Sequence, residues 1–261
     1  MNQKKEKSNL RWSSSQPTYQ NGVITGCDQK MEWILKWFWR HYSATNSLPI
    51  TFLDFGVSKS ARLWCEKHMH VISCPIPKQF EEEPLSFSLP KEWSDAQKER
   101  RLIERKFWFT KVCSLLKTPY LRSLWVDIDC KFLEKIDSIF EFCDHPNGIA
   151  LSLDSEETIS HWKNWGLYKP GAKGYLAGII LFKKRSPLIE KWALCCQKEH
   201  TMEYGEQTLL NSLIERENIT VPLLPDKCHW IYPNNVPKGV KIVHYGGEEA
   251  KNMILREMEN K

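Results

Sequence analysis

The sequence predicts an α/β fold: a Rossmann-like sandwich with a mostly parallel central sheet flanked by helices. Three observations predict it. Short apolar runs alternate along the chain with longer stretches of helical spacing, the order of a parallel sheet covered on both faces. One run, Leu124-Trp125-Val126, has the composition of a strand buried on both sides. Four runs end in carboxylates, namely Asp28, Asp54, Asp127 with Asp129, and Asp154. In open α/β sheets, ligands gather off the carboxyl ends of the strands.

Taken in order, residues 1–20 read as a flexible basic tail and 21–261 as one domain without internal repeat or linker. Residues 22–28 read as a first strand running into a glycine turn. Residues 31–42, dense in Trp33, Trp37, Phe38 and Trp39, read as a helix. A second strand over 48–55 ends at Asp54 and Gly56. A helix over 60–68 and a short strand over 71–73 follow. Residues 74–95 hold four prolines and three consecutive glutamates, which predicts a surface excursion near a substrate.

A long helix over 96–117 buries a stripe of Trp108, Val112, Leu115 and Leu116, and Thr118-Pro119 stops it. Arg100, Arg101, Arg105 and Lys106 read as its solvated face. After the strand that carries the two aspartates, 132–142 has a helical apolar pattern and 148–153 reads as a strand. Residues 155–173, polar and rich in Trp, Gly and Pro, read as a loop on the acceptor side. The strand over 175–182 carries an interior glycine, Gly178, which signals close approach by another group. Helices over 187–200 and from 204 onward lead to 221–224 and to the run 241–247.

Composition narrows the function classes. The chain has 261 residues, 41% of them hydrophobic and 12% aromatic, enough for a sizeable core. Its net charge is +5, and Lys4, Lys5, Lys7 and Arg11 against Glu6 account for +3 of that. The remainder is too small for the basic face that a nucleic-acid binder needs. No apolar run is long enough to span a membrane and no secretory leader is visible, so the expectation is a cytoplasmic protein. Nine cysteines without a Cys-x-x-Cys pair read as small buried hydrophobes in a reducing compartment.

The chemistry centres on Asp127 and Asp129. In an extended chain residues i and i+2 point to one side, so both carboxylates can face one point past the strand end. Two charges at a buried strand tip stay ionised cheaply only when they are wet or share a cation. Oxygen ligands suit a hard divalent ion, Mn²⁺ or Mg²⁺, which can hold a substrate phosphate in turn. An Asp-x-Asp alone is a weak signal and also suits an Asp-rich turn. His244 follows Ile242-Val243 and is the natural third ligand, although a histidine capping a strand end has the same pattern. Gly246 and Gly247 let backbone approach a phosphate. Lys251 and Lys111 can offer charge to a diphosphate or sugar oxygen.

In their order along the chain these pieces resemble the glycosyltransferases of the GT-A fold, most nearly the retaining family-8 nucleotide-sugar transferases. The matching segments are Val23-Ile24-Thr25-Gly26-Cys27-Asp28, Phe109-Thr110-Lys111-Val112, Leu124-Trp125-Val126-Asp127-Ile128-Asp129, Tyr175-Leu176-Ala177-Gly178, Gly205-Glu206-Gln207-Thr208-Leu209-Leu210-Asn211 and His244-Tyr245-Gly246-Gly247. The resemblance implies a nucleotide-binding start at Thr25, Gly26, Cys27 and Asp28, with Thr25 and Asp28 at base and ribose. It implies a metal held by Asp127, Asp129 and His244, with Ile128 among the nucleotide contacts. Asp154 resembles the acid that holds donor-sugar hydroxyls, and Glu206 and Gln207 the pair near the anomeric carbon. The chain departs from the family at Lys111, where arginine is usual, and at Leu176, where asparagine is usual. It departs also at Lys251, which stands one residue late and precedes Asn252 rather than Pro-Trp.

The implied activity is a metal-dependent glycosyltransferase of the hexosyltransferase type. It moves a sugar from a nucleotide-diphosphate donor, a UDP-sugar in preference, to a carbohydrate, lipid or protein hydroxyl. The alternative is a catalytically silent nucleotide-sugar or carbohydrate-binding relative. A nucleotidyltransferase would need a glycine- and arginine-rich loop after the first strand, which Gly26-Cys27-Asp28-Gln29-Lys30 does not supply.

Overall fold

The computed structural model describes residues 19–81 and 86–259. Its strands are β1 (Tyr19–Cys27), β2 (Ile50–Asp54), β3 (His70–Ser73), β4 (Tyr120–Val126), β5 (Cys130–Phe132), β6 (Ile149–Leu153), β7 (Tyr175–Lys183) and β8 (Ile242–His244). Six of them form one sheet in the order β3-β2-β1-β4-β7-β6, and β5 pairs with β8 beside it. β1 to β4 run parallel, and β7 runs against both β4 and β6. The sheet is therefore mostly parallel, with one reversed strand. The chain leaves β1 toward β2 and β3 on one side and adds β4 on the other. The crevice between the carboxyl ends of β1 and β4 is thus the topological switch point of the sheet.

The helices are α1 (Leu35–Thr45), α2 (Lys59–Glu66), α3 (Asp95–Leu115), α4 (Glu156–Asn164), α5 (Pro187–Glu199), α6 (Glu206–Arg216) and α7 (Glu248–Glu259). They cover the sheet in two layers. Side chains alternate along β4, so Leu124 and Val126 join one core with Trp37, Phe38 and Ile242. Trp125 joins the other with Phe109, Trp192 and Leu209. Serine side chains satisfy free amides at helix starts: Ser58 for α2, Ser94 with Gln97 in a capping box for α3, and Ser186 before Pro187 for α5. Among the described residues no helix is long and apolar enough to cross a membrane. All nine cysteines are unpaired, and all but Cys113 are buried.

Several expectations need correction. The loop expected over 155–173 contains α4, started by Ser155, whose hydroxyl accepts from the Thr158 amide. None of its residues is fully buried, so it lacks the apolar stripe that marks a helix in sequence. Residues 248–259, for which no element was expected, form α7, which buries Ala250 and Ile254. Residues 137–143 form a 3₁₀ turn rather than a longer helix. On α3 the expected stripe holds at Val112 and Leu115, but Trp108 is half-buried on a cleft, and Arg105, expected on the solvated face, is buried and donates to the carbonyls of Tyr204, Glu203 and His200. β1 already begins at Tyr19, and residues 1–18 of the expected tail lie outside the described residues.

Candidate metal and nucleotide site

Local backbone bonding aims the two aspartates. β4 ends at Val126, and the Asp127 amide still pairs across to the Gly178 carbonyl at 2.9 Å. The chain then turns tightly, with the Cys130 amide donating to the Asp127 carbonyl at 3.1 Å, and enters β5. Cys130 stands opposite His244 in the β5–β8 ladder. The Tyr245 amide donates to the Asp129 carbonyl at 2.9 Å, which fixes Asp129 beside the end of β8.

The three side chains meet there. His244 Nε2 lies 3.2 Å from Asp129 Oδ1 and 3.9 Å from Asp127 Oδ2. Lys251, on α7, stands 3.1 Å from Asp129 Oδ2. The Trp125 indole N–H donates to Asp127 Oδ1 at 2.7 Å. A Cβ built on Gly178 would lie 2.4 Å from His244 Cε1, 2.7 Å from its Nδ1 and 3.3 Å from Asp127 Oδ2. Glycine here is what lets ring and carboxylate sit against the β7 backbone, the close approach that its position in a strand signals.

Burial and mutual charge set the protonation of this group. Burial pushes the Asp127 carboxyl above the usual range, against the pull of Lys111 and His244. Burial acts the same way on Asp129, but His244 and Lys251 outweigh it and hold that carboxyl well below the usual range. Burial works against a charged His244, yet Asp129 and Asp127 raise it overall. Two carboxylates that each approach the same imidazole nitrogen fit a hard divalent ion, Mn²⁺ or Mg²⁺, which Asp127, Asp129 and His244 could hold. Among the described residues the one group whose ligand atoms all lie within 4.8 Å of one another is Asp129, Cys130 and His244; Asp127 is not in it and reaches His244 Nε2 at 3.9 Å. Burial pushes the Cys130 thiol up, and its soft sulfur suits Mn²⁺ or Mg²⁺ less than a carboxylate oxygen does.

The group opens on a cleft of about 340 Å³ at the switch point. Gly26, Cys27 and Asp28 from the end of β1 line it, with Asp127, Ile128 and Asp129 from the end of β4 and His244, Gly246, Gly247 and Lys251 from the end of β8 and α7. Ten of the residues singled out in the sequence thus share one wall. The Asp127 side chain keeps 26% exposure, enough to reach the cleft.

The other candidates lie elsewhere. Thr25, expected at the base, is fully buried and does not line the cleft, because its side chain points into the packed face of β1. Lys111, expected on a diphosphate, is buried under the site: its ammonium lies 2.7 Å from Glu206 Oε1 and 3.6 Å from Asp127 Oδ1 and donates to the Ala177 carbonyl at 3.1 Å. Burial works against its charge, but Asp127 and Glu206 more than restore it. Gln207 accepts from the Ala177 amide at 2.9 Å and donates to the Tyr168 hydroxyl at 2.7 Å. Asp154, just past β6, accepts from the Ser155 amide at 2.8 Å, and burial raises its carboxyl. Neither it nor Glu206 nor Gln207 lines the cleft.

Sequence reasoning missed the facing wall. Arg100, Arg101, Glu104, Phe107 and Trp108 of α3 line the cleft together with Lys30, Met31 and Glu248. Arg100 pairs with Glu248 on α7, and Lys30 with Glu104 at 2.9 Å. The signal was a stripe of spacing four, Arg100-Glu104-Trp108, which leads along the helix to Lys111 and so to the acids.

No family profile and no curated protein matches this chain. Solved structures do. The chain superposes on the galactosyltransferase LgtC, crystallised with donor and acceptor sugar analogs, with a TM-score of 0.58 at 15% identity over 87% of both chains. It superposes on mouse xyloside xylosyltransferase 1 with a TM-score of 0.53 at 13% identity, over 87% of this chain and 98% of that one. It superposes on the glycosyltransferase GlyE of Streptococcus pneumoniae TIGR4 with a TM-score of 0.55 at 15% identity, over 92% of this chain and 63% of that one. The fold is the GT-A glycosyltransferase fold.

Proposed function

We propose that this chain is a metal-dependent glycosyltransferase that moves a sugar from a nucleotide-diphosphate donor, a UDP-sugar, to an acceptor hydroxyl. The observation that carries the reading is the convergence of Asp127, Asp129 and His244 at the mouth of the switch-point cleft. Its setting supports it: the same fold carries glycosyltransferases, one of them crystallised with donor and acceptor sugar analogs.

In this reading Asp127, Asp129 and His244 hold a divalent ion, Mn²⁺ or Mg²⁺. When bound, that ion supplies neutralising charge for a departing diphosphate. Gly246 and Gly247 let the backbone close on the diphosphate, and Lys251 offers it a further cation. Asp28, beside Gly26 and Cys27, meets the nucleoside end. Lys111 pairs with Glu206 and reaches Asp127 from below, and so orients both. Asp154 and Glu206, which do not line the cleft, keep the role of donor-sugar acids in this reading, and Gln207 is anchored to the Ala177 amide of β7. The acceptor class stays open between carbohydrate, lipid and protein.

The test is incubation with UDP- and GDP-sugars and Mn²⁺, reading release of the nucleoside diphosphate. Release with a UDP-sugar that stops when EDTA is added supports the reading. If no nucleotide sugar binds or turns over with any divalent ion, it fails. One observation favours a second reading, a catalytically silent nucleotide-sugar binder: Glu206 is buried and already paired with Lys111. Calorimetry separates the two, because a silent relative binds the donor without releasing product.

A further inference from the structure

We propose that His229 is a positioning residue for His244: its Nε2 accepts the Nδ1 proton of His244, which leaves the lone pair of His244 Nε2 free for a divalent ion. The inference rests on the metal-holding role of His244 proposed above and adds to it the group that fixes the ring.

His229 is 5% exposed and lies far from the cleft wall in sequence, between a 3₁₀ turn at Asp226–Cys228 and the strand-like Trp230. Its backbone is held on both sides. Its own amide donates to the Asp226 carbonyl at 3.2 Å, and the next residue, Trp230, donates its amide to Ile242 at 2.9 Å and accepts from the His244 amide at 2.7 Å. Trp230 thereby pairs with Val243 as a bridge alongside β8. The two imidazoles therefore have fixed roots. Their rings lie 28° from parallel with centroids 5.5 Å apart, and His229 Nε2 stands 3.3 Å from His244 Nδ1.

The tautomers follow from what each nitrogen faces. His244 Nε2 faces the carboxylates of Asp129 and Asp127 at 3.2 and 3.9 Å, so it is the nitrogen that an ion shared with them would take. A ligating nitrogen carries no proton, so the ring proton of His244 sits on Nδ1. That proton points at His229 Nε2, which must accept it. The proton of neutral His229 then sits on its own Nδ1. That atom is buried with no hydrogen-bond partner among the described residues. Buried ring nitrogens are normally satisfied. One left without a partner, on the ring that touches a candidate ligand, marks a histidine kept for its other nitrogen.

Two experiments test this. Nitrogen-15 histidine spectra of the wild-type protein with Mg²⁺ read the tautomers directly. The expected result is a proton on Nδ1 of both rings; a proton on Nε2 of His229 overturns the proposal. Mn²⁺ titration followed by electron paramagnetic resonance gives a second readout. His229→Phe keeps an apolar ring and removes the acceptor, and its Mn²⁺ affinity should fall about 10–100-fold, as loss of an outer partner of a metal ligand does. His229→Gln returns an acceptor near the Nε2 position and should recover most of that loss. Melting temperatures in EDTA show whether each variant is folded. Wild-type affinity in His229→Phe overturns the proposal, as does a folded His229→Gln that binds as weakly as His229→Phe. Failure of the underlying metal reading looks different: the wild type itself then binds no Mn²⁺, and both readings fall.

Discussion

Lys111 and Glu206 form a buried ion pair, Nζ to Oε1 at 2.7 Å, directly beneath Asp127, the first aspartate of the candidate metal site. The pair ties α3 to the start of α6, and the same ammonium reaches Asp127 at 3.6 Å. A single cation thus serves two acids on different elements. This relationship organises the site from below and makes Lys111 a structural requirement rather than a hand in the cleft.

Removing that cation should therefore destabilise the fold. Lys111→Met keeps the volume but leaves the buried Glu206 carboxylate without its cation and takes one of several partners from Asp127, a loss of about 3–5 kcal/mol for a broken buried pair. Urea unfolding in EDTA measures it. A change below about 1 kcal/mol would mean that the acids are solvated and the pair is incidental.

Gly178 offers a cleaner disturbance of the metal group. Gly178→Ala drives a methyl group toward His244 Cε1, so the ring must move off the two aspartates. Mn²⁺ affinity should fall at least tenfold, while overpacking costs about 1–3 kcal/mol of stability. Unchanged Mn²⁺ binding would show that His244 does not take part.

Besides its pair with Asp129, Lys251 is expected to act on the diphosphate end of UDP and not on the nucleoside. Lys251→Met should weaken UDP binding about 10–100-fold, as loss of a charge-assisted hydrogen bond does, and leave uridine binding unchanged. Calorimetry with both ligands and Mn²⁺ checks this. Equal losses for UDP and uridine would point to a general collapse of the cleft instead.

How much of this was legible in the sequence differs by element. Asp127 and Asp129 were legible as an acidic pair closing an apolar strand, although they stand in the turn between β4 and β5 and not in the extended chain that their spacing suggested, and His244 because an apolar pair and two glycines framed it. The close approach at Gly178 could be anticipated from an interior strand glycine. The direction of β7 could not, since a strand buried along nearly its whole length has the same composition parallel or antiparallel. α4 and α7 were hidden because they bury few side chains or none. Lys111 was misassigned because spacing along α3 shows which face it shares, not that an acid on another element is waiting there. His229 carried no local signal, as it follows a 3₁₀ turn and its partner stands fifteen residues away at the end of β8.

The packing of α7 against α1 predicts a pH dependence away from the site. His41 Nε2 lies 3.0 Å from Glu257, with Lys131 and Arg40 on the same carboxylate. Burial, and then Lys131, lower the His41 pKa from 6.5 to about 4, against the opposing pull of Glu257. The native state therefore resists a proton that the unfolded chain accepts. Stability contributed by neutral His41 is fully present above pH 6.5 and is lost as pH falls from 6.5 to about 4. Denaturant midpoints across that window should decline less steeply for His41→Gln than for wild type. Parallel declines would contradict the assignment.

Calorimetric titration of UDP into the wild-type chain, with Mn²⁺ and again with EDTA, tests the central claim most directly. The account predicts saturable UDP binding with Mn²⁺ that disappears in EDTA and in Asp129→Asn. UDP binding of equal strength in EDTA, or none under either condition, would contradict it.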